Sequence, residues 1–272
     1  MGKVPRVKLN NGKKMPGFGF GTWQLNEGQE VVEAVVNALK FDYRLIDTAK
    51  IYGNEDGVGQ AIRASGVPRE DIFVTTKLWN SDQGYESALA AFETSLGQLD
   101  MDYVDLYLIH WPQTERRHDA WRALDQIYLS DRAKAIGVSN YMVHHLEEVL
   151  SQSKTMPAVN QIEFHPFIYN RQKPILDFCR THDIVVEAYS PLTMGRNLMH
   201  PNITAIASKA GKSNAQVILR WCVQQGTIPI PRSTNPSHIA ENINIFDFKL
   251  SDQDMESLNQ LGESSDWSPN TA

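Results

Sequence analysis

The chain has 272 residues, of which 42% are hydrophobic and 21% charged, and a formal net charge of −6. That composition belongs to a soluble globular protein, and the length suits one large α/β domain with a substantial core. It excludes several classes: there is no run of Lys and Arg for nucleic acid, and no stretch near the roughly 18 apolar residues of a membrane span.

Residues 6–15 read as a β-hairpin, with Asn11-Gly12 as a two-residue type I′ turn. Beyond it, short apolar strands alternate with amphipathic helical stretches. In chain order the strands are expected at 17–21, 43–47, 72–77, 104–109, 134–138, 158–161, 184–188 and 227–231. The helices between them are expected at 29–39, 57–64, 85–99, 119–129, 143–150 and 174–181. A helical stretch at 203–225 is split near Gly211, the last strand is followed by a helix at 236–244, and Ser251 caps a final one, DQDMESLNQL. Eight strand–helix units fit either a closed barrel or a wide open parallel sheet. Even spacing and the lack of a composition break favour a single (β/α)8 TIM barrel over residues 1–272, with the hairpin at its N-terminus. The polar tail from Glu263 is expected to be loosely held.

Cys179 and Cys222 lie outside any CxxC or Cys/His spacing, so neither a disulfide framework nor a metal site is expected. Residues 1–10 lack the apolar core of a secretory signal, which leaves the cytoplasm as the expected compartment.

Functional groups of such barrels sit at the C-terminal ends of the strands. The second predicted strand ends at Asp47, the third at Lys77, and the fourth runs into His110; Tyr52 follows Asp47 by five residues. Singly, Asp47 could cap a helix, Lys77 could snorkel to solvent and His110 could be a core histidine. On three consecutive strands they suggest one chemistry. Tyrosine is a poor acid at neutral pH, and a neighbouring ammonium lowers its pKa. Lys77 is expected to do this, with Asp47 holding it, while His110 donates to a substrate carbonyl and Tyr52 protonates it as hydride arrives at carbon. A hydride needs a cofactor, but GFGFG at 17–21 does not fit the Rossmann fingerprint. PRSTN at 231–235 offers Arg232, two hydroxyls and the amides of a helix start, which suit a phosphate or serve as an ordinary cap.

Long segments carry a resemblance: LIDTAKIYGNE (45–55), VTTKLWNSDQGYE (74–86), VDLYLIHWP (104–112), IGVSN (136–140), VNQIEFHP (159–166) and IPIPRS (228–233). Over almost its whole length the chain resembles the aldo-keto reductase superfamily, in particular the short enzymes typified by 2,5-diketo-gluconate, methylglyoxal and prostaglandin F reductases. The resemblance implies NADPH-dependent reduction of small aldehydes and ketones, with Tyr52 as proton donor, Asp47 and Lys77 as its tuning pair and His110 orienting the carbonyl. It implies that Ser139, Asn140 and Gln161 hold the nicotinamide carboxamide and that Tyr189 stacks on the ring. Gly21, Thr22, Ser190 and Leu192 would line the cofactor's path. Arg232, Ser233, Thr234, His238, Glu241 and Asn242 would surround the adenosine end. Trp23, Ile51, Trp79 and Trp111 would wall the substrate pocket, or simply pack the barrel.

Three departures stand out. The family often has Lys at Arg232, which keeps the charge. It often has Arg at His238, where a neutral imidazole holds phosphate less well, so NADH is expected to serve alongside NADPH. Near the end, Asp266 stands where an Arg is common before Pro269. With the short loop 113–118, this is expected to leave the pocket open on one side. A monomer acting on a small carbonyl compound, without nucleic-acid or membrane partners, is the expectation. The alternatives are a Schiff-base lyase using Lys77 and a cofactor-binding regulatory subunit.

Overall fold

The computed structural model describes residues 4–262. Eight parallel strands pair in chain order: β3 (Phe20–Gly21), β4 (Leu45–Asp47), β5 (Phe73–Leu78), β6 (Leu106–Ile109), β7 (Ile136–Ser139), β8 (Val159–Glu163), β9 (Val185–Tyr189) and β10 (Ile228–Pro229). They curl until first meets last, where Gly19 N–H donates to Pro229 O at 3.0 Å and Gly21 N–H to Pro231 O at 3.2 Å. Glycine is required at this seam: a Cβ on Gly21 would stand 2.8 Å from the Ile230 carbonyl oxygen, and one on Gly19 would lie 2.6 Å from the Leu45 side chain. Pro229 and Pro231 have no N–H, so the last strand only accepts at the seam. The expected barrel is present, although its first and last strands are shorter than the apolar runs at 17–21 and 227–231.

Successive side chains on a strand point to opposite faces, so residues two apart share one. On four of the strands the inward positions change from apolar to polar toward the C-terminal end: Leu45 then Asp47, Leu106 and Leu108 then His110, Val159 then Gln161, Val185 then Glu187. The apolar layer holds Leu45, Phe73, Leu106, Leu108, Val159, Ile228 and Ile230, and the hairpin adds Leu9 and Met15 to it. The hairpin, β1 (Arg6–Lys8) and β2 (Lys14–Pro16), thus plugs the N-terminal mouth. Asn10 and Asn11 tie it there by donating to the Pro157 and Lys134 carbonyls at 2.9 and 3.0 Å. Its turn is not the two-residue type expected. Lys8 pairs with Lys14, Gly12 N–H closes on Leu9 O, and Gly12 alone adopts positive φ (85°) because the Asn11 side chain is spent on the barrel.

The helices pack outside, burying a second and larger apolar layer against the outward faces of the strands. They are α1 (Gln29–Lys40), α2 (Glu55–Ala64), α3 (Tyr85–Leu99), α4 (Arg117–Leu129), α5 (Val143–Gln152), α6 (Tyr169–Thr181), α7 (Pro201–Ala210), α8 (Asn214–Gln224), α9 (Pro236–Ile243) and α10 (Asp252–Asn259). Gly211 ends α7 in the left-handed region, which makes the expected break, and Ser251 caps α10 through a bond from Asp254 N–H. The sequence places Pro174 at a helix start. Instead α6 begins five residues earlier, and Pro174 sits within it on the exposed side, where water can serve the carbonyl it leaves unpaired. None of the described helices is long and apolar enough to cross a membrane. The tail from Glu263, with Asp266 and Pro269, lies outside the described residues.

Where α2 crosses α3, a Cβ on Gly59 would stand 2.1 Å from the Leu99 carbonyl oxygen. Backbone cannot yield there as a flexible side chain can. Gly59→Ala should therefore cost about 2–3 kcal/mol, read as a lower urea midpoint at unchanged slope.

Candidate active site

At the C-terminal mouth the polar ends of the strands converge. Lys77 is wholly buried at the end of β5, and its ammonium donates to Asp47 Oδ1 at 2.6 Å, the Thr48 carbonyl at 2.8 Å and Tyr52 Oη at 3.2 Å. An ammonium has three donors and all are committed. Tyr52 is brought there by a single 3-10 turn (Lys50–Tyr52) after β4, ended by Gly53 in the left-handed region. That turn is braced by Asn54, a fully buried side chain that donates to the Thr22 and Leu25 carbonyls and accepts from Thr48 Oγ1 at 2.9 Å. Gln161, on β8, donates to Asp47 Oδ2 at 2.7 Å and also to Glu187 Oε2 on β9.

Burial dominates the electrostatics. It would lower the Lys77 pKa, yet Asp47, Tyr52 and Glu187 together hold it above the ordinary lysine value, so the side chain stays charged. Burial raises Tyr52 to about 12; Lys77 pulls it down, while Asp47 and Glu187 push it up. The sequence-based expectation that Lys77 leaves this phenol more acidic than usual is thus corrected: the ammonium's pull exists, but desolvation exceeds it. His110, only 8% exposed, is held well below the usual histidine range by burial and by Lys77, and is neutral at physiological pH. Its Nδ1 is sealed off without a partner among the described residues, and its ring packs edge-on against Tyr52 and Trp79.

These groups open into a cleft of about 430 Å³. Its lining includes Trp23, Ile51, Trp79 and Trp111, with the Trp23 ring 4.9 Å from that of Tyr52. It also includes Gly21, Ser139, Asn140, Gln161, Tyr189, Ser190, Leu192 and Arg232. Tyr189 Oη donates to Asn140 Oδ1 at 2.9 Å, and Ser139 Oγ to the Gln161 carbonyl at 2.9 Å. Thr22 lies behind this lining, fully buried, with its hydroxyl on the Asp47 carbonyl. Beyond Arg232 the chain enters α9, capped by Asn235, whose side chain accepts from Ser237 N–H while Ser233 Oγ accepts from Asn235 N–H. Ser233, Thr234, His238, Glu241 and Asn242 lie on this segment outside the cleft lining; Thr234 and His238 are exposed and Asn242 is buried.

Residues 18–263 match the aldo/keto reductase family. The chain belongs to that family. It is 51% identical over 264 residues to the glyoxal reductase of Bacillus subtilis, covering 97% of this chain and 95% of that protein. A crystal structure of an aldo/keto reductase from Brucella melitensis superposes with a TM-score of 0.91 at 50% identity, covering 95% of this chain and all of that one. The aldo-keto reductase of Bombyx mori, crystallised with NADP, superposes with a TM-score of 0.89 at 36% identity, over 95% of this chain and 93% of that one. The protein is thus an aldo-keto reductase, an oxidoreductase that acts on carbonyl compounds.

Sequence reasoning passed over several residues that shape this reductase's site, four of them with evident roles. Asn54 braces the Tyr52 turn, Gln24 and Met194 line the cleft, and Glu187 faces the catalytic interior. The last was readable: a lone acid two positions before Tyr189 in an otherwise apolar strand must share the inward face of that tyrosine.

Burial, with Asp47 adding to it, raises the Glu187 carboxyl to about 8. A folded-state pKa above the unfolded value of about 4.3 gives stability that is complete below pH 4.3 and is lost as pH rises through 8. Glu187→Gln removes this loss. Relative to wild type, the variant should gain roughly 2–4 kcal/mol between pH 5 and pH 8 in urea titrations; a pH-independent difference would contradict it.

Proposed function

We propose that this chain is a single catalytic domain, acting as a monomer, that reduces small aldehydes and ketones with NADPH. Tyr52 is the proton donor, Lys77 and Asp47 fix it, and His110 orients the carbonyl. The observation that carries this reading is where the third Lys77 donor goes. A phenol oxygen that accepts from an ammonium keeps its own O–H free to donate, and Tyr52 lines the cleft. The proton is therefore aimed at a bound carbonyl oxygen. The raised pKa does not impede the step, since the alkoxide that develops on reduction is a stronger base than phenolate. Lys77 then stabilises the phenolate left behind, and Asp47 keeps the ammonium in place. A neutral His110 with its proton on Nε2 donates a second hydrogen bond to the same oxygen.

The cleft fits a nicotinamide nucleotide by the chemistry of its lining: amide and hydroxyl groups of Ser139, Asn140 and Gln161 for a carboxamide, the Tyr189 ring for a planar face, Ser190 and Leu192 along the path, and the Arg232 guanidinium. When bound, the reduced nicotinamide supplies the hydride. Arg232, Ser233 and the amides at the start of α9 would hold a 2′-phosphate, with Thr234, His238, Glu241 and Asn242 around the adenosine. Trp23, Ile51, Trp79 and Trp111 would wall a small, largely apolar substrate, in keeping with a relative named glyoxal reductase. A Schiff-base role for Lys77 is disfavoured, because a nucleophilic amine must shed its proton and this one is held charged with every donor engaged.

The test follows absorbance at 340 nm with methylglyoxal, phenylglyoxal, 4-nitrobenzaldehyde and a diketo sugar acid. Tyr52→Phe should lower kcat/KM by about 10³-fold with NADPH affinity unchanged; turnover that persists in this variant would remove the tyrosine from the mechanism. For the cofactor, NADH should support measurable turnover. His238→Arg should raise the NADPH-to-NADH ratio of kcat/KM by roughly 5-fold, about the worth of one charged hydrogen bond at an exposed site. A wild-type preference for NADPH of several orders of magnitude, unmoved by the substitution, would refute the His238 argument.

A further inference from the structure

Glu187 is fully buried inside the barrel and stands opposite Gln161 in the β8–β9 register. Its Oε2 accepts from Gln161 Nε2, and its Oε1 has no partner among the described residues. The second acceptor for the Gln161 amide is Asp47 Oδ2 on the far side of the barrel. A primary amide has two N–H donors, and here both end on carboxyl groups from different strands. Turning the amide over would set its carbonyl oxygen between the two carboxyl groups, forfeiting the bond to Glu187 Oε2 as well as that to the Asp47 carboxylate, which Lys77 keeps ionised. The amide therefore has one orientation. Because Gln161 lines the cleft, the atom left for a ligand there is its carbonyl oxygen.

We propose that Glu187 is a positioning residue that, together with Asp47, locks the Gln161 amide so that this wall of the cleft reads an N–H donor. The matching ligand group is the NH2 of the nicotinamide carboxamide; the proposal rests on the reading above that places the nicotinamide against Ser139, Asn140 and Gln161. A carboxyl group in its neutral form still offers a carbonyl oxygen to Gln161, and the raised Glu187 pKa keeps a second anion from competing with Asp47 for Lys77.

The test compares NADP+ with its 3-acetylpyridine analogue, in which a methyl ketone replaces the carboxamide and no N–H remains. Dissociation constants are measured by quenching of protein fluorescence for the full-length wild type, Glu187→Gln and Glu187→Met, with circular dichroism to confirm folding. The wild type should bind NADP+ about tenfold more tightly than the analogue. Glu187→Gln retains a carbonyl acceptor and should keep that ratio. Glu187→Met removes one of the two acceptors that fix the amide, and the ratio should fall to about twofold or less. Glu187→Ala, which leaves space instead of a side chain, replaces the methionine variant should that one not fold. An unchanged ratio in the methionine or alanine variant, an equal loss in the glutamine variant, or a wild-type ratio near one would overturn the proposal. Failure of the underlying reading looks different: the wild type would bind no NADP+, or would oxidise no NADPH with any carbonyl.

Discussion

One buried ammonium organises the active end of this barrel. Lys77 has no contact with water, so its charge persists only because Asp47, the Thr48 carbonyl and Tyr52 take its three donors. Those acceptors come from β4 and the turn that follows it, and β4 lies beside β5 in the sheet. The pairing thus sets the position of Tyr52 from below, while Asn54 sets it from behind. Remove the ammonium and Asp47 becomes an uncompensated buried anion. Remove the carboxylate and the ammonium loses the partner that holds it charged. The site is rigid because each charged group is costly without the others.

The same constraint explains why the barrel is layered. The lower interior is apolar and closed by Leu9 and Met15 of the hairpin, so water has no route to the polar groups from that end. In the upper interior Asp47 and Glu187 share one Gln161 amide beside a single ammonium, which is one acid more than that lysine can neutralise. The excess is resolved by Glu187, whose carboxyl is pushed far above the usual carboxylate range by burial and by Asp47 and so favours its neutral form. This stratification follows from strand periodicity: a shift of one residue in any strand would exchange its inward and outward sets.

Much of this was legible beforehand. Asp47, Lys77 and His110 end three consecutive apolar runs, the positions to which the barrel rule points, and the structure gathers them at one mouth. The tryptophans and the amides of the cleft became legible through resemblance, since nothing in their spacing alone separates a pocket wall from packing. What sequence reasoning missed depends on pairings across the barrel. The Asn11-Gly12 turn looked like a two-residue hairpin because local preference says so, but Asn11 was already engaged by Lys134 on the barrel. Likewise the ammonium's effect on Tyr52 had the right sign, while the desolvation that outweighs it depends on how deeply the ring is enclosed, a quantity with no sequence signal. Glu187 was visible as a residue, but its bond to an amide shared with Asp47 was not.

The seam of the barrel has a consequence for how the chain assembles. Gly19 and Gly21 meet Pro229 and Pro231 across almost the whole length of the sequence, and the prolines can only accept there. All the other strand neighbours are also neighbours in chain order, joined by helical crossovers far shorter than the span the seam closes, and can form as local units. Closing the circle is the one step with a large loop entropy, and its few hydrogen bonds give little in return until the interior is packed. Closure is therefore expected to be the last event of folding and re-opening at the seam the first of unfolding, which makes this junction the point of kinetic control over the fold's lifetime.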